Sequence, residues 1–102
     1  MSRLMHQPHA VLAVDVNNHP GVMSHVVGLF SRRAYNVEGI FCMPVGDGAT
    51  SRIWLLVGEN EPLEQMIRQV EKLEDVLTVT RHPGDHPVFA RQEEFFLPRA
   101  TA

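Results

Sequence analysis

Residues 17–21 (NNHPG) have the residue types of a small-ligand site. The segment joins a predicted strand to a predicted helix, where backbone N–H groups and the positive end of the helix dipole attract an anion such as a carboxylate. Asn18 offers both a hydrogen-bond donor and an acceptor, which the zwitterion of an amino acid requires. Gly21 has no side chain and lets a ligand approach the backbone closely. A plain helix cap and turn explains the same residues, because Asn and Pro are both common at helix starts.

No other set of residues predicts catalysis or metal binding. Cys42 lies between Phe41 and Met43, and reactive thiols need electropositive surroundings, so we interpret it as an inert core or edge residue. His82 and His86 flank a turn and would chelate a metal only weakly, because no cysteine or carboxylate cluster supports them. Neither a Walker loop nor a GxGxxG motif is present. We therefore predict a chain that is not an enzyme and holds no metal or cofactor of its own.

Hydrophobic periodicity predicts six elements that position the 17–21 segment. They are strands at 9–16, 37–44, 51–57 and 76–80, a helix at 21–34, and a helix that begins at Pro62 and carries apolar residues through Leu73. Asn and Pro are expected to cap the start of the first helix. Gly28 is unusual inside that helix, since glycine costs about 1 kcal/mol relative to alanine there. Close helix packing, within the chain or across a dimer, explains it, and so does a tolerated defect.

The order strand, helix, strand, strand, helix, strand predicts an α+β, ferredoxin-like βαββαβ fold. Its four-stranded antiparallel sheet carries both helices on one face, which leaves the other face for a partner chain, a nucleic acid or another copy. We place the domain at residues 9–80 and a C-terminal tail at residues 81–102, with a short segment at 88–90 or 95–97.

Composition excludes several classes of function. The chain has 102 residues, enough for one small domain, and a net charge of −3 with scattered Lys and Arg. The first predicted strand has no aromatic residue and the third has only Trp54, so base stacking and nucleic-acid binding are not expected. No apolar run approaches the roughly 20 residues that span a membrane, and no signal peptide is present. A single cysteine favours a reducing, cytoplasmic location.

The run from Asn18 to Ile40 (NHPGVMSHVVGLFSRRAYNVEGI) resembles the hallmark of acetolactate (acetohydroxyacid) synthase small regulatory subunits, which contain an ACT domain. That hallmark is an N-x-x-G loop followed by a helix that ends G-L-F-x-R-R-x-[YF]-N-[IV]-E. Residues 63–67 (LEQMI) and 72–76 (KLEDV) match the family's second helix and turn. The resemblance covers residues 10–80. It is strongest to the isozyme I type, because of the NHPGVM and IWLLV segments and the short chain.

The resemblance implies a regulatory subunit with no chemistry of its own. Such a subunit activates a separate, larger catalytic subunit and makes it sensitive to feedback inhibition by branched-chain amino acids, chiefly valine. The catalytic subunit binds thiamine diphosphate, Mg²⁺ and FAD, and condenses two pyruvates or pyruvate with 2-oxobutyrate. A free-standing ACT-domain amino-acid sensor, or an interaction module with another client, is the alternative.

The resemblance also implies a homodimer of ACT domains with the effector at the interface. The effector-binding residues carried over from the family come from two protomers, namely Asn18, His19, Pro20, Gly21, Val22 and Met23 of one and Asn36 and Val37 of the other. Asn18, Gly21 and Val22 would hold the backbone groups of the effector. Asn36 would complete the site and Val37 would touch the effector's side chain. His19 and Pro20 replace the Glu-Ser of longer family members, which affects effector choice and affinity.

Overall fold

A computed structural model describes residues 8–59 and 62–96. The elements follow the predicted order of strands and helices, and two short helical segments come after the last strand. They are β1 (His9–Asn17), α1 (Val22–Arg32), β2 (Val37–Val45), β3 (Thr50–Gly58), α2 (Leu63–Glu71), β4 (Val76–Pro83), α3 (Pro87–Ala90) and a 3-10 helix (Glu93–Phe96). The predicted βαββαβ order is confirmed.

The four strands form one antiparallel sheet in the order β2-β3-β1-β4. The central strand β1 pairs with β3 along its whole length and with β4 on its other side. This leaves β2 and β4 as the two edges. β4 continues to Pro83, three residues beyond the end of the predicted strand, which is also the predicted end of the domain at residue 80.

The main core lies between one face of the sheet and the helices α1 and α2. Alternate residues of each central strand point into it, as the period of two in β1 and β3 predicts. The residues contributed by these two strands are Ala10, Leu12, Val14, Val16, Ile53, Leu55 and Val57. The buried residues of the two helices are Val22, Val26, Leu29, Phe30, Leu63, Met66, Ile67 and Val70. Both helices therefore lie on one face, as predicted.

The opposite face of the sheet is partly covered by the C-terminal segment of the same chain. Phe89 in α3 packs against Val11 and Leu56, and Trp54 and Val88 border this second cluster. The expectation that another molecule must cover this whole face is therefore wrong for the part beneath α3. The short helix contains the predicted 88–90 segment and begins one residue before it. A 3-10 helix overlaps the predicted 95–97 segment, whose residue 97 lies outside the described residues.

The start of α1 differs from the prediction. Gly21, in the left-handed conformation with φ +84°, is the N-cap residue, and no side chain caps the helix. Pro20 lies before the helix and not in its first turn. The helix ends at Arg32, two residues earlier than predicted, and Ala34 takes a positive φ of 56° where the chain turns toward β2.

Candidate functional site

The loop between β1 and α1 is fastened to the turn between β2 and β3. The Asn18 side-chain amide donates from Nδ2 to the carbonyl oxygen of Gly48 at 2.8 Å. The Asn18 backbone N–H donates to the carbonyl oxygen of Ala49 at 3.1 Å. The side-chain oxygen of Asn18 accepts no hydrogen bond from the described residues, and Asn18 is exposed. Asn18 therefore presents a fixed hydrogen-bond acceptor to solvent.

Asp75, in the turn between α2 and β4, holds the loop from its other side. Its backbone oxygen accepts from the N–H of Asn17 at 2.9 Å, and its carboxylate accepts from the Asn17 side chain at 3.3 Å. The His19 ring nitrogen Nδ1 lies 3.0 Å from the same carboxylate, an ion pair when His19 is protonated. The His19 side chain is thus directed at Asp75, and its contribution to a ligand site would come through the backbone.

The start of α1 leaves backbone donors free. The N–H of Val22 donates to the carbonyl oxygen of His19 at 3.3 Å, but the N–H groups of Met23 and Ser24 donate to none of the described residues. These are two of the orphan donors that every helix N-terminus carries, and no side chain satisfies them. Since no atom lies within 4 Å of a Cβ placed on Gly21, the approach to these donors is open. A carboxylate suits this position by charge and by hydrogen bonding.

The other predicted site residues lie at the far end of α1. Asn36 is exposed and donates from its side chain to the carboxylate of Glu38 at 3.1 Å, whereas Val37 packs partly against the main core. The 11 residues of α1 separate these positions from Gly21 by about 16 Å along the helix axis. One chain therefore does not bring the two halves of the predicted site together.

Two cavities among the described residues do not join the halves either. One, of about 750 Å³, lies between the start of β2 and α2 and is lined by Asn36 with the cations Arg33, Arg68 and Lys72. The other, of about 670 Å³, lies between the β2–β3 ladder and α3. The residues at 18–23 line neither cavity. Any site that uses both halves requires a second chain.

Nothing else in the described residues forms a reactive constellation. Cys42 is exposed on the edge strand β2, which matches the predicted edge position and not the predicted core position. Partial burial of its thiol raises the pKa of Cys42, which disfavours the nucleophilic thiolate. The His82 and His86 rings lie 4.8 Å apart beside Trp54. No group of three or more His, Cys, Asp or Glu side chains in residues 8–59 and 62–96 is placed to hold a metal ion.

Sequence reasoning missed the residues that support the 17–21 loop. Gly48, Ala49 and Asp75 come from two other turns, 27 residues or more away along the chain, and no local pattern connects them to Asn17 and Asn18. The only available signal is the turn composition around Gly48, where a positive φ of 91° requires glycine.

Residues 12–78 match the family described as AHAS small subunit-like ACT domain, where AHAS is acetohydroxyacid synthase, a synonym for acetolactate synthase. The chain is 53% identical over 88 residues to the acetolactate synthase isozyme 1 small subunit of Escherichia coli K12, covering 86% of this chain and 92% of that one. The chain belongs to the acetolactate synthase small subunit family. The isozyme 3 small subunit of the same organism is 42% identical over 71 residues, which is 69% of this chain and 44% of the relative.

Solved structures of this family and of other ACT domains share the fold. The acetolactate synthase small subunit of Thermotoga maritima superimposes with a TM-score of 0.65 at 32% identity, covering 72% of this chain and 46% of that one. The ACT domain of a GTP pyrophosphokinase from Chlorobium tepidum gives a TM-score of 0.58 at 20% identity, over 72% of this chain and 95% of that one, and shows the fold alone.

Membership of the small subunit family settles the class of the protein. The relatives are small subunits, so the predicted role as a non-catalytic subunit, and not as an enzyme, is confirmed. Among the helices of residues 8–59 and 62–96, none is long and apolar enough to cross a membrane.

Proposed function

We propose that this acetolactate synthase small subunit binds a branched-chain amino acid, with valine first, at a site that two ACT domains share. The observation that carries the proposal is the set of free groups at the β1–α1 loop. The N–H groups of Met23 and Ser24, in the first turn of α1, have no partner among the described residues, and Asn18, in the loop that leads into this helix, presents its side-chain oxygen to solvent. The N–H groups suit the carboxylate of an amino acid, and the Asn18 oxygen suits its ammonium group.

The edge strand β2 supports the second half of the proposal, which is a homodimer. All of its residues are exposed or half-buried, although most are apolar, and Met43 is 70% exposed. An exposed apolar edge presents unpaired backbone groups that another strand can join. In this arrangement β2 of one chain pairs with β2 of its partner and extends the sheet across the dimer.

Antiparallel pairing of two β2 strands would also assemble the site. It places the start of the partner's β2 opposite the end of this chain's β2, because antiparallel strands run in opposite directions. The end of β2 leads into the turn at residues 46–49, which holds Asn18 through Gly48. Asn36 and Val37 of the partner chain then face the loop at 18–23 of this chain. The roughly 16 Å separation within one chain is thereby bridged by a second chain.

The regulatory part of the proposal concerns a larger catalytic subunit. We assign to that subunit the thiamine diphosphate, Mg²⁺ and FAD that the family resemblance implies, and none of them to this chain. The small subunit activates it and transmits feedback inhibition. An effector regulates only by its different affinity for two states of a complex, so valine must favour the less active arrangement of the paired subunits. The cytoplasmic location stays a prediction from the single cysteine.

Calorimetry with valine tests the effector site. Saturable binding to the full chain is expected, and it should be lost in Asn18→Ala and in Gly21→Asp, which sets a carboxylate in front of the free N–H groups. Asn36→Ala should weaken binding as well. Folded wild-type protein that binds none of valine, leucine and isoleucine, alone or with the catalytic subunit, would contradict the proposal.

Mixing two defective variants tests whether the site is shared. A mixed dimer of Asn18→Ala and Asn36→Ala chains contains one site with both asparagines and one site with neither. Refolding the two variants together should therefore restore tight binding at one site in each mixed dimer. If the site lies within one chain, the mixture binds no better than its components. Co-purification of the tagged chain with a large thiamine-diphosphate protein, and its activation, separates this proposal from a free-standing sensor.

A further inference from the structure

β2 contains a bulge at its start, beside the residues assigned to the effector. Val37 pairs with Val57 and Gly39 pairs with the adjacent Leu56, so the register shifts around Glu38. Two positions two apart on a regular strand face the same side, but the bulge breaks this rule. Val37 packs on the main core beneath the helices, whereas Gly39 faces the side of the sheet that α3 covers.

The ring of Phe89 occupies the space that a side chain at position 39 would take. A Cβ placed on Gly39 would lie 2.8 Å from Cε1 of Phe89, far inside van der Waals contact. Phe89 is only 6% exposed, and its ring stacks on Phe41 with centroids 5.4 Å apart and an interplanar angle of 27°. Gly39 and Phe89 are therefore complementary in shape, and the contact lies directly after the bulge.

The segment that carries Phe89 is itself fixed on the sheet. The His86 ring nitrogen Nδ1 accepts from the N–H of Val88 at 3.1 Å and caps α3. The same ring lies 4.8 Å from the Trp54 ring. Gly84 passes so close to β1 that an added Cβ would lie 2.5 Å from the carbonyl oxygen of His9. The position of Phe89 is thus determined by several contacts and not by Gly39 alone.

We propose that Phe89 is a positioning residue of the effector site, which it reaches through Gly39 and the β2 bulge. By filling the space at Gly39, the ring favours the bulged register over a regular one. A slip to regular pairing would turn Val37 away from its present face and would redirect Asn36. The C-terminal segment therefore controls how the start of β2 is presented to the partner's loop. This inference rests on the shared effector site proposed above.

The test compares Phe89→Ala, Phe89→Leu, Gly39→Ala and the double variant Gly39→Ala/Phe89→Ala in the full chain. Phe95→Ala is the matched control, because Phe95 lies six residues later and is 74% exposed. Valine affinity is measured by calorimetry, and hydrogen exchange of the amides of residues 36–38 is measured by NMR. The second measurement reports the bulge when exchange at 36–38 is compared with exchange in the rest of β2, because a uniform loss of stability speeds exchange along the whole strand.

Phe89→Ala should weaken valine binding by about tenfold or more, since a loosened support shell degrades a site. It should also speed exchange at 36–38 relative to the rest of β2, and Phe89→Leu should fall between Ala and wild type. Gly39→Ala should act like Phe89→Ala, because its methyl group displaces the ring. In the Phe89→Ala background the same methyl group should change affinity by less than about twofold, since coupled residues are non-additive.

Valine affinity in both Phe89 variants within about twofold of wild type would overturn the inference while leaving the effector site intact. Additive losses from Gly39→Ala and Phe89→Ala would overturn it too. If wild-type protein binds no effector, the proposed function fails. Hydrogen exchange then tests by itself whether Phe89 controls the bulge. Selectively faster exchange at 36–38 in Phe89→Ala supports this control, and exchange equal to that in Phe95→Ala overturns it.

Discussion

The side-chain amide of Asn18 donates to the carbonyl oxygen of Gly48 at 2.8 Å, and the two residues are 30 positions apart. This hydrogen bond links the β1–α1 loop to the turn that follows the edge strand β2. It leaves the Asn18 oxygen pointing away from the bond and available to a ligand. The candidate site is therefore hydrogen-bonded to the turn that follows β2, the strand through which we propose that two chains pair.

Replacing Asn18 with Asp removes the donor and keeps the size of the side chain. The new carboxylate would face the Gly48 carbonyl and repel the carboxylate of an amino-acid ligand. We expect a loss of stability of about 1 kcal/mol from the hydrogen bond. Valine affinity should fall by more than about tenfold, which corresponds to roughly 1.4 kcal/mol of binding free energy. Urea unfolding and calorimetry measure the two effects.

Asp47→Ala is the control for this variant. The Asp47 carboxylate accepts from the N–H of Ala49 at 3.0 Å within the same turn, so its removal weakens the turn without removing the Asn18 amide. It should lower stability by about the same amount while valine affinity changes by less than about twofold. Equal loss of affinity in both variants would show that the turn, and not Asn18, determines binding.

Gly21 is held at φ +84° with no atom within 4 Å of an added Cβ, so its substitution by alanine tests backbone strain alone. The left-handed conformation costs a residue with a Cβ about 1 kcal/mol or slightly more. Gly21→Ala should lower the free energy of unfolding by that amount. Gly28→Ala, inside α1, should raise it by about 0.5–1 kcal/mol, because helices favour alanine. A stabilising Gly21→Ala would mean that the loop does not need its left-handed turn.

Regular elements with strong periodicity were predictable from the sequence. The apolar residues of α2 recur at helical spacing and those of β3 alternate, and both patterns match the buried residues. In each case the local pattern and the tertiary packing require the same residues. The G-L-F run of α1 was predictable for the same reason, since Leu29 and Phe30 are buried in the main core.

The cap of α1 was not predictable from local rules. Asn before Pro suggests a side-chain cap, but Asn17 donates to Asp75 and Asn18 donates to Gly48. Contacts with distant turns therefore outcompete the local cap, and Gly21 takes the N-cap position. The explanation of Gly28 by close helix packing is wrong within the chain, because a Cβ there would meet only the end of the flexible Arg32 side chain, at 3.3 Å.

The contact of the C-terminal segment with the sheet was also missed. Its proline content favours an irregular tail, and its binding to the sheet depends on residues some 50 positions earlier. A signal existed in Gly39, because a glycine inside a strand often marks a bulge or close approach of another segment. The structure shows both at this position. The two halves of the candidate site could be placed from the sequence only through the family resemblance.

The Asp15 carboxyl should make the free energy of unfolding depend slightly on pH in the acidic range. Hydrogen bonding from Arg52 at 2.7 Å, helped by its charge and by Thr78, lowers the pKa of the Asp15 carboxyl. A lowered folded-state pKa gives stability that is present above the unfolded value of about 3.9 and is lost as pH falls through the folded value. Because Arg52 is 41% exposed, the pair is screened, and Asp15→Asn should cost only about 0.5 kcal/mol at pH 7.

The measurement for Asp15 is urea unfolding at several pH values and salt concentrations. The difference between wild type and Asp15→Asn should shrink toward zero once the pH lies below the folded-state pKa, and it should shrink in high salt at pH 7. Asp85→Asn serves as the control, since Asp85 is exposed and makes no ion pair with the described residues. A difference that persists at low pH would assign the effect to packing instead of charge.

Phe30 belongs to the family run of α1, yet it contributes to stability and not to the ligand site. It is fully buried, and its ring meets the Tyr35 ring edge-on with centroids 5.8 Å apart. Phe30→Ala should cost about 3–5 kcal/mol, a large part of the roughly 5–15 kcal/mol that stabilises a small domain. Phe96→Ala, at an 84% exposed position, should change stability by less than about 0.5 kcal/mol. Circular dichroism during urea unfolding gives both values.

Stabilisation by valine distinguishes the core residue Phe30 from the proposed ligand-binding residue Asn18. A ligand that binds only the folded state adds about 2.7 kcal/mol at a concentration 100 times its Kd, whatever the starting stability. Phe30→Ala should gain this full increment, because its ring lies in the core and not among the residues at 18–23. Asn18→Asp should gain almost none at the same valine concentration. A Phe30→Ala chain that folds but gains nothing from valine would show that the core residue also shapes the effector site.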